Sequence, residues 1–162
     1  MAACTFCSIV ARQSPAYVVW EDPHAIAFMD LLPMTPGHCL VVPRRHVTDV
    51  WDLGDDDAAS VMQTAARVAH LVRDRLGPLG LNLLSNNGRA ADQSQFHFHF
   101  HVVPRYGRDL LLRPAERSFG SIEEIAAVAG VLRGEIELDS LDGTAAAPPS
   151  GLRPPWRERG RG

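Results

Sequence analysis

The chain has 162 residues, of which 46% are hydrophobic and 22% charged, and a formal net charge of −3. That fits one globular domain, or one domain with a tail; it is too short for an eight-stranded α/β barrel, which takes roughly 250 residues, and its charge gives no reason to expect nucleic acid as the main partner. All 16 basic residues are Arg, so chemistry that needs a lysine, such as a Schiff base or a P-loop phosphate clamp, is excluded.

Near the start, Cys4-Thr5-Phe6-Cys7 forms a Cys-x-x-Cys pair. The first residues carry no basic leader and no long apolar run, and no stretch reaches the ~18 apolar residues of a membrane span, so the expected location is the cytoplasm. There thiols stay reduced, and the pair reads as a metal or redox site. Residues 6–12 are expected to form a short helix. Residues 17–20 and 25–29 are β-rich runs on either side of Glu21-Asp22-Pro23-His24, a turn signal, and read as a hairpin. Residues 31–37 hold two Pro and a Gly and read as a loop; residues 38–42 read as a third strand, stopped by Pro43. After the acids Asp55, Asp56 and Asp57, the apolar positions Val61, Met62, Ala65, Val68, Ala69, Val72 and Leu76 recur at helical spacing, and the helix should end near Gly77-Pro78.

Residues 81–85 are a fourth strand, 86–92 a polar loop and 96–105 a fifth strand. Ser121-Ile-Glu-Glu124 is a capping-box pattern, with Ile122, Ile125, Val128, Leu132 and Ile136 following at helical spacing. From Asp139 the composition shifts to Ala, Pro, Gly and Arg. The expected organisation is a domain over residues 1–138 and a flexible tail over 139–162. The fold class is α+β: a mainly antiparallel five-stranded sheet with one long helix and a short C-terminal helix.

The most informative segment is His97-Phe98-His99-Phe100-His101-Val102-Val103. In a strand its three His share one face and Phe98, Phe100 and Val102 the other. Three imidazoles on one face are costly to desolvate and repel when protonated, which argues against a structural role. Two readings are open from the residues alone: a metal centre, or a nucleophilic His held by its neighbours. Strand positions i and i+4 lie ~13 Å apart at Cα, too far for one ion to take both His97 and His101 at Zn–N distances of about 2.0–2.1 Å.

The pattern His-φ-His-φ-His-φ-φ resembles the signature of the histidine triad (HIT) family of nucleotide hydrolases and transferases. Ala27-Phe28-Met29-Asp30, the run from Pro36 to His46, Asn86-Asn87-Gly88, Gln93-Ser94 and Val102-Val103-Pro104-Arg105 are similar to that family's flanking segments, and the likeness covers about residues 4–106. The resemblance implies a nucleotide substrate whose α-phosphate carries a leaving group. Neutral His99 would attack the phosphorus to give a nucleotidyl-histidine intermediate, with a backbone carbonyl fixing its tautomer. It implies that His101 and Gln93 contact the phosphate, that Ser94 lies near the leaving group, that Asn86 binds near phosphate and ribose, that Phe28 lies in the nucleotide pocket, and that Asp30 accepts from the ribose hydroxyls. For Asp30 the residues alone also allow a turn-capping acid. Where family members commonly carry Gly, this chain has Asp92, whose charge would repel a polyanion unless Arg89 offsets it.

In the zinc-containing bacterial branch the resemblance implies a structural zinc ion, one per chain, held by Cys4, Cys7, His46 and His97, with no organic cofactor. It further implies a homodimer built on the long helix. Substrates would be phosphoramidates, adenylates or dinucleoside polyphosphates; the alternatives are a phosphorolytic transferase and a nucleotide-binding module with incidental catalysis.

Overall fold

The computed structural model describes residues 4–107 and 121–137. The expected tail, residues 139–162, lies outside the described residues. The elements run α1 (Thr5–Val10), β1 (Val18–Glu21), β2 (Ala25–Met29), β3 (Cys39–Pro43), α2 (Asp55–Leu76), β4 (Gly80–Leu84), β5 (Phe100–Arg105) and α3 (Ile122–Arg133). The strands form one sheet in the order β1-β2-β3-β5-β4, and every neighbouring pair is antiparallel.

Period-2 alternation sorts the sheet residues to two covered faces. Ala27, Met29, Cys39, Val41 and Val102 pack with Val68, Val72 and Leu76 of α2 and with Ile125, Ala129 and Leu132 of α3. Ile26, Phe28, Leu40 and Val42 turn to the opposite face, where Phe6 and Ile9 of α1 cover them. Because both faces are covered, β2 and β3 are buried along their whole length.

The long helix has the expected bounds, with three Asp in its first turn and Arg73 and Arg75 in its last. Met62 departs from the expected apolar stripe and is exposed; Thr64 is buried instead, donating from Oγ1 to Asp22 Oδ2 at 2.7 Å. In α3, Ser121 Oγ accepts from the Glu124 amide at 3.1 Å, as its capping pattern predicts. Ile136 falls outside the helix, which stops at Arg133 because Gly134 takes φ +75°.

The fifth strand is shorter than expected, beginning at Phe100 instead of Phe96. The cause is Pro43. With Val41 opposite Phe100, Pro43 falls opposite Phe98, where it has no N–H to give. The Phe98 amide donates instead to Val47 O at 2.6 Å, and His97 Nε2 bonds Pro43 O at 2.9 Å. Only His101 of the three histidines therefore lies in a strand. Among the described residues, no helix is long and apolar enough to cross a membrane.

Candidate active site and metal centre

His97, His99 and His101 are 0%, 4% and 8% exposed, so a solvated polar face is ruled out and each ring must find its partners inside the protein. His99 Nδ1 lies 2.8 Å from the His97 carbonyl. A carbonyl only accepts, so Nδ1 carries the proton and Nε2 the lone pair. Burial pushes the His99 pKa down, against an upward pull from that hydrogen bond and from Asp30. The ring thus favours its neutral form, in one tautomer, on the wall of a cleft of about 520 Å³.

The cleft is mostly apolar. Phe6, Ile9, Tyr17, Phe28, Leu31 and Ile122 line it; Asp30, Ser94, Gln95, His99 and His101 supply its polar side. Asp30 Oδ1 accepts the Leu32 amide at 2.9 Å, so this acid caps a turn and also lines the cleft: the two readings of Asp30 are compatible.

His38 reads in the sequence only as the start of a strand, and nothing there marks its place beside the triad. It is fully buried. Its Nδ1 accepts the Met34 amide at 3.1 Å, which leaves the proton on Nε2, and Nε2 meets His101 Nδ1 at 2.9 Å. His101 therefore accepts at Nδ1 and, when neutral, carries its proton on Nε2. Asp30, His38 and His101 bring donor atoms within 4.8 Å of one another, but these imidazole nitrogens are engaged with each other and with an amide, which does not suit a cation.

Two residues expected at the substrate lie outside the lining of the cleft. The first is Gln93. Its Oε1 accepts the Gly88 amide at 2.7 Å, and its Nε2 donates to Thr48 O at 2.7 Å and Gln95 O at 3.1 Å. Both amide protons are spent on backbone, so Gln93 braces the loop that carries Ser94. Asn86 is half-buried after β4 and does not wall the cleft. Its neighbour Asn87 is the structural residue, accepting the Val50 amide at 2.8 Å and donating to Ser85. Asp92 has φ +61°, which explains why glycine suits this position. Arg89 does not pair with it: the guanidinium lies over the Phe96 ring, 4.9 Å from its centroid.

The four expected metal ligands come together, their ligand atoms all within 4.8 Å of one another. Cys7 Sγ lies 3.2 Å from His46 Nδ1, and His97 Nδ1 lies 3.5 Å from both Cys4 Sγ and Cys7 Sγ. Legs of about 2.3 Å (Zn–S) and 2.05 Å (Zn–N) at a tetrahedral angle put S and N about 3.6 Å apart, so the donor set fits one zinc ion. The Pro43 carbonyl accepts a hydrogen bond from His97 Nε2–H and so turns an unprotonated Nδ1 toward the sulfurs, the usual support for a ligating histidine. Both cysteines are free thiols. Burial, then the Cys4 thiol beside it, raises the Cys7 pKa, a cost that a bound cation would reverse. Cys39 is not part of this site: it is fully buried, and burial pushes its thiol up to about 12.

Comparison with known proteins agrees with this geometry. The family model of the HIT domain matches residues 11–108. The protein hit of Bacillus subtilis (strain 168) is 43% identical over 105 residues, which are 65% of this chain and 72% of that protein. A zinc-bound histidine triad family protein from Mycobacterium smegmatis superposes with a TM-score of 0.73 at 34% identity, covering 86% of this chain and 96% of its own. A hypothetical histidine triad nucleotide-binding protein from Sulfolobus tokodaii gives a TM-score of 0.73 at 30% identity, covering 85% and 93%. With a triad of this spacing, an antiparallel sheet of this order and relatives that span most of its length, the chain belongs to the histidine triad family.

Proposed function

We propose that the protein hydrolyses or transfers the nucleotidyl group of nucleoside 5′-monophosphate conjugates, namely phosphoramidates, adenylates or dinucleoside polyphosphates, through a nucleotidyl-His99 intermediate. The observation that carries this reading is the pinned tautomer of His99: a buried neutral imidazole whose Nδ1–H is tied to a carbonyl directs the Nε2 lone pair outward as a nucleophile.

The base enters the apolar part of the cleft between Phe6, Ile9, Phe28 and Leu31, and Asp30 accepts from the ribose hydroxyls. His99 Nε2 forms a bond to the α-phosphorus as the bond to the leaving group breaks. The leaving group takes a proton relayed by the Ser94 hydroxyl. His101, donating from Nε2, and backbone N–H groups near Ser94 meet the charge that develops on the phosphoryl oxygens. Water, or another acceptor, then attacks the same phosphorus as its bond to His99 Nε2 breaks, and the acceptor's proton returns through the Ser94 hydroxyl. Gln93 and Asn86 are left out of substrate contact in this scheme, Gln93 acting on the loop instead.

In the same reading Cys4, Cys7, His46 and His97 hold one zinc ion, with four protein ligands and no open position. Bound there, zinc would act as a cross-link between α1, the end of β3 and the start of the histidine run, not as a Lewis acid. The setting proposed is the reducing cytoplasm, where the thiols stay available to metal. A homodimer is also proposed, supported by the position of β4 at the sheet edge and by exposed Met62 on α2 and Leu79 beside β4.

The test is a rapid quench, without acid, of the wild-type protein turning over a labelled adenosine 5′-phosphoramidate. Labelled nucleotide should be found on His99 by peptide mapping, and His99→Ala should neither turn over nor label. Label on another residue, or turnover by His99→Ala, would overturn the mechanism.

A further inference from the structure

Helix α1 serves two sites at once. Cys4 at its N-cap and Cys7 within it turn to His46 and His97, while Thr5, Phe6 and Ile9 wall the cleft. Phe6, between the two cysteines in sequence, is in contact with both sites. Its ring centroid lies 5.9 Å from that of His97, 5.3 Å from that of His99 and 5.4 Å from that of Phe28, each edge-on.

A helix of six residues does not hold itself together; isolated helices below ~12–15 residues are marginal in water. α1 has no side-chain cap at its N-terminus and no acid in its first turn. Two things anchor it: burial of Phe6 and Ile9 against Ile26, Phe28, Leu40 and Val42, and the two cysteines of the metal cluster. The same rigid turn that presents sulfur to the metal presents the Phe6 edge to the nucleophile and its apolar flank to the cleft.

We propose that metal binding at the Cys4, Cys7, His46 and His97 cluster and nucleotide binding in the cleft are positively coupled through α1, with Phe6 as the positioning residue between them. This rests on the nucleotide cleft and metal centre described above. With metal bound, the wall formed by Thr5, Phe6 and Ile9 is already ordered when a nucleotide arrives. Without it, the nucleotide must order α1 from its own binding free energy, and affinity falls by the fraction of molecules in the competent arrangement. Coupling of equilibria is reciprocal, so bound nucleotide must tighten the metal site by the same factor.

The experiment uses the full chain and two probes, zinc(II) and AMP. The AMP dissociation constant is measured by calorimetry on zinc-loaded and metal-stripped protein, with circular dichroism on both, and zinc affinity is measured by equilibrium competition with a chromophoric chelator, with and without saturating AMP. Metal removal should weaken AMP by a factor on the order of ten, and AMP should tighten zinc by the same factor. Phe6→Ala keeps all four metal ligands and should still bind zinc, yet reduce the coupling factor to below about twofold. The competition starts from loaded protein and so decides the matter even if the stripped protein unfolds. Loaded protein that binds both probes, with AMP leaving zinc affinity unchanged, would overturn the coupling alone; an undiminished factor in Phe6→Ala would overturn the route through that residue. Protein that folds without stoichiometric zinc, or loaded protein that does not bind AMP, would overturn the reading on which the proposal rests.

Discussion

His97 and His99 are two residues apart, both buried, and edge-on to the same Phe6 ring, yet their rings are set in opposite senses. His97 is bound through Nε2 to the Pro43 carbonyl and turns Nδ1 to two cysteines. His99 is bound through Nδ1 to the His97 carbonyl and leaves Nε2 for the cleft. Which ring nitrogen a backbone carbonyl engages decides which one keeps a lone pair, and that decides whether a buried histidine can serve as a ligand or as a nucleophile. Side-chain identity and alternation in sequence are the same for both; the difference comes from Pro43, which ends the ladder and leaves its own carbonyl to the His97 ring.

The contrast is tested most severely by His99→Ala. Removing a nucleophile should lower turnover by roughly 10⁴-fold or more, with AMP affinity within about tenfold of wild type, read by steady-state kinetics and calorimetry. At His97 the outcome should be of another kind. His97→Ala should bind zinc sub-stoichiometrically and lose about 2–4 kcal/mol of stability, which for a chain of this size is roughly 5–15 °C in Tm, measured by elemental analysis and calorimetry. His97→Cys supplies a replacement sulfur ligand and should keep both zinc and most of the activity, whereas a Cys at position 99 should be inactive; loss of activity in His97→Cys with zinc retained would erase the proposed division of labour. Chelator added to wild type should leave turnover intact at first, and activity should decay only as metal leaves.

Smaller effects refine the cleft side. Asp30→Ala should weaken ribonucleotides by about 1–3 kcal/mol, the scale of hydrogen bonds to a charged group. A 2′,3′-dideoxynucleotide should lose little further in that variant; if the two losses add, Asp30 does not accept from ribose. The smallest is Asp92→Gly. Relief of the left-handed backbone should add about 0.5–1 kcal/mol of stability, seen by denaturant unfolding, and removal of the charge should favour polyphosphate substrates over monophosphate conjugates.

Much of this was legible in the sequence because it is local. The bounds of β2 and α2 follow from periodicity and from Asp-rich and Gly-Pro ends, and the Ser121 cap from its four-residue pattern. The metal donors were legible only through family likeness: Cys4 and Cys7 are near in sequence, but His46 and His97 join them through the fold. What escaped was set by tertiary partners. Alternation through residues 96–99 looks like a strand until Pro43 is found opposite Phe98. Gln93 carries a phosphate-binding residue type, and only its three backbone partners show that it is engaged elsewhere. His38, two residues after Pro36, shows no periodic signal at all; it is recognised by the amide on one side of its ring and His101 on the other.

Backbone carbonyls hold His97 and His99 in opposite tautomers, and a long-range ¹H–¹⁵N correlation spectrum of the zinc-loaded protein at neutral pH reads this directly. His99 should show a protonated Nδ1 and an unprotonated Nε2, and His97 a protonated Nε2 and a metal-shifted Nδ1. Two rings in the same tautomer, or a His99 protonated on both nitrogens, would contradict it.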